Sequence, residues 1–60
     1  MKYKQPHGET VVFFREGFFY PVQLMGDKSS AEEAAEHAAL NPGTLRIEDM
    51  VGNVLWPDGA

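Results

Sequence analysis

The sequence predicts an α+β fold in which a four-stranded antiparallel sheet carries one helix on one face. Three observations lead to this prediction: two β-branched and aromatic runs flank a short turn, an alanine-rich segment at helical spacing follows, and two short strand-like runs come last. The element order is therefore ββαββ. A chain of 60 residues buries only about 60% of the surface that its unfolded form exposes, so we expect one domain over residues 1–60.

The first two strands are predicted near residues 9–15 and 18–25, because both segments are rich in Val, Thr, Phe and Tyr. Gly17, between them, can take the left-handed conformation that a tight hairpin requires. Residues 1–8 contain a proline and a glycine and show no periodicity. We interpret them as an arm that could extend the first strand.

A helix is predicted near residues 30–40. Ser29 stands three residues before Glu32 and Ser30 stands three residues before Glu33, so two capping boxes are open as its start. Asn41-Pro42-Gly43 ends it, because a proline disfavours helical geometry in the residue before it. The side expected to face the sheet is a stripe of small residues, Ala31, Ala34, Ala35 and Ala38, and the sides expected to face solvent carry Glu32, Glu33, Glu36 and His37.

The third and fourth strands are predicted near residues 44–48 and 53–56. Leu45 and Ile47 alternate with polar residues, so we expect both to point toward the core. Pro21 cannot donate a backbone hydrogen bond, which indicates that the second strand lies at an edge of the sheet. The expected strand order is therefore 2-1-3-4, with every neighbouring pair antiparallel.

Charge and cysteine content exclude several classes of protein. The chain has no cysteine, which leaves it without a disulfide framework or a thiolate nucleophile. Its net charge of −4 opposes attraction to a phosphate backbone, and we do not expect it to bind duplex nucleic acid. No apolar run approaches the roughly 20 residues of a membrane span, so we expect no membrane association and a cytoplasmic, untargeted chain. The cations are scattered along it, at Lys2, Lys4, Arg15, Lys28 and Arg46.

The sequence carries no pattern that indicates catalysis or metal binding. Glu33 and His37 lie one helical turn apart and could form half of a metal site, but we interpret them as a solvated pair, and nothing fixes a partner for His7. Ser29 and Ser30 are explained as helix caps rather than nucleophiles. The glycines are isolated, so there is no phosphate-binding loop. We predict no enzyme activity, no metal, no cofactor and no small-molecule substrate.

Aromatic side chains indicate an interaction surface. Two pairs of phenylalanines and one Leu-Trp pair are consecutive in predicted strands, so one member of each pair must point away from the face that the helix covers. The second face of the sheet is then apolar, and either the N-terminal arm with Tyr3 or a partner covers it. The candidate partner-binding residues are Phe13, Phe14, Phe18, Phe19, Tyr20, Leu55 and Trp56.

The leading hypothesis is a protein-interaction or assembly module that associates with itself as a homodimer, through the apolar face or an edge of its sheet. The alternative is a nucleic-acid-binding or regulatory protein that uses the sheet aromatics with Lys2, Lys4, Arg15 and Arg46. The position of the two arginines separates these hypotheses. Nucleic acid is favoured if Arg15 and Arg46 share a face with the outward phenylalanines, and protein contact is favoured if they lie apart.

Overall fold

The computed structural model describes residues 5–57 and confirms the predicted ββαββ order. The strands and the helix begin and end within a few residues of the expected positions. They are β1 (Thr10–Arg15), β2 (Phe18–Gln23), α1 (Ser30–Leu40), β3 (Thr44–Asp49) and β4 (Val54–Trp56).

The four strands form one sheet in the order β2-β1-β3-β4, and every neighbouring pair is antiparallel, as predicted. Pro21 lies in β2, at an edge of the sheet, where its missing N–H leaves no gap in an internal ladder. β1 and β3 occupy the centre of the sheet. Each of these two strands therefore has a neighbour on both sides.

The β1–β2 hairpin continues into the residues that precede it. Backbone N–H groups of His7 and Gly8 donate to the carbonyl oxygens of Met25 and Leu24, at 3.0 and 2.9 Å. This part of the predicted arm therefore runs alongside the chain that leaves β2. Tyr3, which was considered as a cover for the second face of the sheet, lies outside the described residues.

Gly17 closes the hairpin with a backbone φ of 88°, a conformation that residues with a Cβ adopt only at a cost in free energy. Apart from Gly17 and its two chain neighbours, no residue has an atom within 4 Å of the position that a Cβ would occupy there. Replacing Gly17 with alanine is therefore expected to destabilise the fold by about 1 kcal/mol through backbone strain alone. Chemical denaturation can measure this loss, and Gly17→Asn, which tolerates positive φ better, should lose less. Equal losses for the two variants would contradict a conformational origin.

The helix uses the first of its two possible capping boxes. The Ser29 hydroxyl accepts from the Glu32 backbone N–H at 3.2 Å, and the Glu32 carboxylate accepts from the Ser29 N–H at 3.3 Å. These two bonds satisfy backbone donors that the first turn of a helix leaves without partners. Asn41 caps the other end, as the Asn-Pro-Gly sequence predicts.

The core lies between α1 and one face of the sheet. Two residues of the predicted alanine stripe, Ala34 and Ala38, are buried, but Ala31 and Ala35 are exposed, and that part of the prediction was wrong. The helix is rotated so that Glu33, rather than Ala31 or Ala35, is buried beside Ala34. The buried hydrophobic core consists of Val11, Phe13, Leu24, Ala34, Ala38 and Ile47.

Leu45 is also exposed, contrary to the prediction that it points inward. Phe14 pairs with Arg46, but the next residue of β1, Arg15, pairs with Thr44, so Leu45 is an extra residue without a partner in β1. This bulge interrupts the alternation on which the prediction depended. Ile47 lies beyond the bulge and is buried as expected.

Candidate interaction surface

The face of the sheet opposite α1, called here the open face, carries side chains in two rows across the strands. The first row, the aromatic row, consists of Phe19, Phe14 and Arg46. Phe14 lies directly opposite Phe19 of β2 on one side and opposite Arg46 of β3 on the other, and residues in such pairs share a face. Phe14 and Phe19 are thus the outward members of the two consecutive phenylalanine pairs.

The second row, the aliphatic row, lies two residues further along each strand. Val12 is paired with Pro21 on one side and with Glu48 on the other, and Glu48 is paired with Val54 of β4. Val12 and Glu48 are half-buried, whereas Pro21 and Val54 are exposed. The open face therefore combines apolar side chains with one cation and one anion, and both of these charges come from β3.

Contacts within the aromatic row hold its side chains together. The Phe14 and Phe19 ring centroids are 5.8 Å apart, and the Arg46 guanidinium carbon lies 3.8 Å from the Phe14 centroid. This distance is well within the range of a cation–π interaction. The Arg46 Nε also donates to the Glu48 carboxylate. Phe19 lies at the end of the row and is 69% exposed, so it is the most accessible ring of the surface.

Three other aromatic candidates lie on the face that α1 covers. Phe13 is buried in the core, where its ring stacks on that of Tyr20 at 5.6 Å. Phe18 stacks on Tyr20 at 6.0 Å and is 56% exposed. The structure therefore brings together Phe14 and Phe19 and separates them from Phe13, Phe18 and Tyr20.

Leu55 and Trp56 do not divide between the two faces, so the prediction that one of them points outward was wrong. Both are half-buried and pack against the core. Ile47 pairs with Trp56 while Glu48 pairs with Val54, so Leu55 is an extra residue in β4. The bulge breaks the alternation that the prediction assumed.

Arg15 and Arg46 lie apart. The Arg15 guanidinium donates to the Pro42 carbonyl oxygen at 2.8 Å and to the Thr44 hydroxyl at 3.4 Å, and alternation places Arg15 on the side of Phe13 rather than Phe14. Lys2 and Lys4 lie outside the described residues. The criterion stated above is therefore met only in part: Arg46 shares the open face with Phe14 and Phe19, and Arg15 does not.

Glu33 is not the solvated side chain that the sequence indicated. Its carboxylate accepts from the backbone N–H groups of Met25 and Gly26, both at 2.8 Å, and from that of Lys28 at 3.2 Å. Burial opposes ionisation of this group, but the backbone donors outweigh it and lower the pKa of Glu33. The carboxylate therefore fixes the loop between β2 and α1 and is already occupied.

Asp49 performs a similar role in the turn between β3 and β4. Its carboxylate accepts from the Asn53 side-chain amide at 2.9 Å, from the Asn53 backbone N–H at 2.8 Å and from the Val51 backbone N–H at 3.0 Å. These donors, the Asn53 side chain foremost, lower the pKa of Asp49. The adjacent residues Glu48 and Asp49 thus have different roles: Glu48 contacts Arg46 on the open face, and Asp49 holds the turn.

A cleft of about 270 Å³ lies beside Glu33, between the β2–α1 loop and the helix. Lys28 and Glu36 form an ion pair in its wall.

Within residues 5–57, no group of three or more His, Cys, Asp or Glu side chains is placed to hold a metal ion. The two histidines lie apart from one another in contacts of their own: the His37 ring meets the Phe13 ring edge-on at 5.8 Å, and the His7 Nε2 lies 3.9 Å from an Asp27 carboxylate oxygen.

Sequence reasoning named the aromatic rings of the open face but missed its charged members. Arg46 and Glu48 are two residues apart in a strand, and this spacing alone puts both on one face. Their position next to Phe14 and Val12 follows from the strand order and register. The spacing of Arg46 and Glu48 in the sequence therefore indicates that they share a face. Finding that this is the open face also requires the partner of each residue in the neighbouring strand.

No helix among the described residues has the length and apolar character that a membrane crossing requires. Comparison of the chain with protein-family models, with curated proteins and with solved structures finds no match in any of the three.

Proposed function

We propose that this chain is a small, non-catalytic protein-interaction module that binds another polypeptide through the open face of its sheet. The observation that carries the proposal is the aromatic row, in which Phe14 and Phe19 contact each other on the face that α1 leaves uncovered. Apolar side chains grouped on one surface of a small domain are typical of protein contact sites.

The apolar area of the open face gives a partner something to bury. Phe19 is 69% exposed and Val54 is 42% exposed, and Pro21, two residues after Phe19 in β2, is also exposed. Full burial of a large apolar side chain contributes roughly 1.5–3 kcal/mol before the cost of association is subtracted. Phe19 is therefore the residue whose loss should weaken binding most.

The charges of the open face favour a protein over a nucleic acid. Arg46 is the cation of the two rows, and Glu48 neutralises it. A strand of nucleic acid needs a positively charged groove along its backbone as well as rings on which its bases can stack. The net charge of −4 opposes a positively charged groove, whereas a polypeptide needs no excess of cations.

A photo-crosslinker in place of Phe19 tests the proposal. We expect p-benzoylphenylalanine at this position to form covalent adducts with protein, in the purified chain or in an extract of cells that express it. Phe18 provides a matched control, because it is the same residue type with similar exposure and lies on the other face. The same label at Phe18 should give few adducts.

Two results would count against this function. Adducts whose added mass is removed by nuclease would assign the surface to nucleic acid. Equal yields of the same adducts from Phe18 and Phe19 would show that the contact is not specific to the open face. Circular dichroism of both labelled chains checks that the helix is retained.

A further inference from the structure

We propose that the partner of the open face is a second copy of this chain, and that two copies pack face to face with the aromatic row of each on the aliphatic row of the other. This inference rests on the proposed function and specifies the occupant. In a two-fold dimer the same patch meets itself, so that residue i of one copy contacts residue j of the other and j contacts i. A patch that forms such a dimer must contain its own complements.

The two rows are arranged as this symmetry requires. They lie two residues apart along the strands, which is about 7 Å. Consider a two-fold axis midway between two facing sheets, perpendicular to the strands and passing over the position between the rows. Rotation about this axis reverses the direction of the strands and keeps their order. β3 then faces β3 of the second copy, and β1 faces β1.

The side chains that β1, β2 and β3 place in the two rows then each meet a complement in charge or size. On β3, Arg46 of each copy faces Glu48 of the other. On β1, the large ring of Phe14 faces the smaller side chain of Val12. On β2, Phe19 faces Pro21. Facing sheets pack with their strands rotated by roughly 30°, which displaces the outer strands more than the central ones, so the contacts of β3 and β1 are the best determined.

Charge also selects a second copy over an acidic or a basic partner. The two rows contain one cation and one anion, Arg46 and Glu48, so the surface is neutral and self-complementary. A strongly basic or strongly acidic partner would leave one of these two charges facing its own sign, which costs affinity.

The size of the face sets the expected strength of the dimer. Four strands about 4.8 Å apart, with about five residues of roughly 3.4 Å each, span a patch of roughly 19 by 17 Å. This is smaller than the roughly 800 Å² per partner of a typical stable complex, even after the relief of the side chains is included. We therefore expect a reversible dimer with a dissociation constant in the micromolar range.

Charge reversal distinguishes contacts of Arg46 and Glu48 across the dimer from an ion pair that acts only within one chain. Arg46→Glu places two carboxylates opposite two carboxylates in a homodimer, and Glu48→Arg places two guanidinium groups opposite two. Each single variant should weaken self-association at least tenfold, since like charges that face each other cost on the order of 1.4 kcal/mol or more. An equimolar mixture of the two variants should form a heterodimer at least tenfold tighter than either homodimer. The double variant Arg46→Glu/Glu48→Arg should again form homodimers.

Sedimentation equilibrium and native mass spectrometry measure these species, and circular dichroism verifies that each variant is folded. Glu16→Arg serves as the control for Glu48→Arg, because it makes the same charge change in the exposed hairpin turn, and it should leave the dimer unaffected. A dimer that survives both single variants, or single variants whose mixture stays monomeric, would overturn the proposed packing.

The outcome is separable from that of the proposed function. A purified chain that remains monomeric at high micromolar concentration overturns the inference that a second copy is the partner. If the crosslinker at Phe19 then still labels another protein in the extract, the interaction module stands and only the identity of its occupant is wrong. If the crosslinker labels no protein under either condition, both proposals fail.

Discussion

Replacing Phe13 with alanine is expected to unfold most of the domain at room temperature. Phe13 is 1% exposed and stacks on Tyr20 between α1 and the sheet, and a buried Phe→Ala substitution costs about 3–5 kcal/mol. A chain of 60 residues has a total free energy of unfolding of roughly 3–9 kcal/mol at the usual stability per residue. The loss is therefore comparable with the whole stability of the fold.

Phe14 provides a matched control, because it is the same residue one position along the same strand. It is half-buried on the open face, so Phe14→Ala should leave a folded chain that has lost about 1 kcal/mol. Urea denaturation of both variants at low protein concentration, where association does not contribute, measures the difference. Similar losses at the two positions would contradict the assignment of Phe13 to the core and of Phe14 to the open face.

Acidification is expected to destabilise the domain steeply below the ordinary pKa range of carboxylic acids. Glu33 and Asp49 each accept three hydrogen bonds, and their pKa values in the folded chain are lowered. A group whose pKa is lower in the folded state adds stability that is complete above its unfolded pKa. This stability is lost as the pH falls through the folded pKa, so the melting temperature should be level near neutrality and fall below about pH 4.5.

Glu33→Gln tests the origin of that dependence. An amide offers one oxygen in place of two and turns its NH₂ group toward backbone N–H donors, so it cannot replace the contacts of Glu33 with Met25, Gly26 and Lys28. We expect a melting temperature at least about 5 °C lower at pH 7 and a weaker dependence on acid. Thermal denaturation between pH 2 and pH 7 checks both. Glu16→Gln, at the exposed hairpin turn, should reproduce the unaltered curve.

The fold was predictable from the sequence because its determinants are local. Gly17 marked the hairpin, Pro21 identified the edge strand, and two overlapping Ser-Glu capping boxes, of which the Ser29 box forms, located the start of the helix. Each of these features depends on residues close together in the chain, and each was confirmed. The rotation of α1 was predicted only in part, because the Glu33 carboxylate receives its donors from the loop before the helix. A scale of hydrophobicity assigns a glutamate to solvent and takes no account of such donors.

The candidate surface was predictable only in part. Alternation showed that one member of each phenylalanine pair points outward, without indicating which member, and this holds wherever the ladder is regular. It failed at Leu45 and at Leu55, where a strand has one residue more than its neighbour. Bulges depend on the fit between two strands that are distant in sequence, so the residues of one strand do not reveal them.

The position of Pro21 has a consequence for how this molecule behaves in concentrated solution. A strand of another chain that added to the outer edge of β2 would find no N–H donor at Pro21, so a continuous ladder cannot form there. The opposite edge, β4, is only three residues long. Neither edge of the described sheet therefore supports the unbroken stacking of strands from which amyloid fibrils grow. A chain with two pairs of adjacent phenylalanines can thus expose rings for binding and still resist the addition of strands at the edges of its sheet.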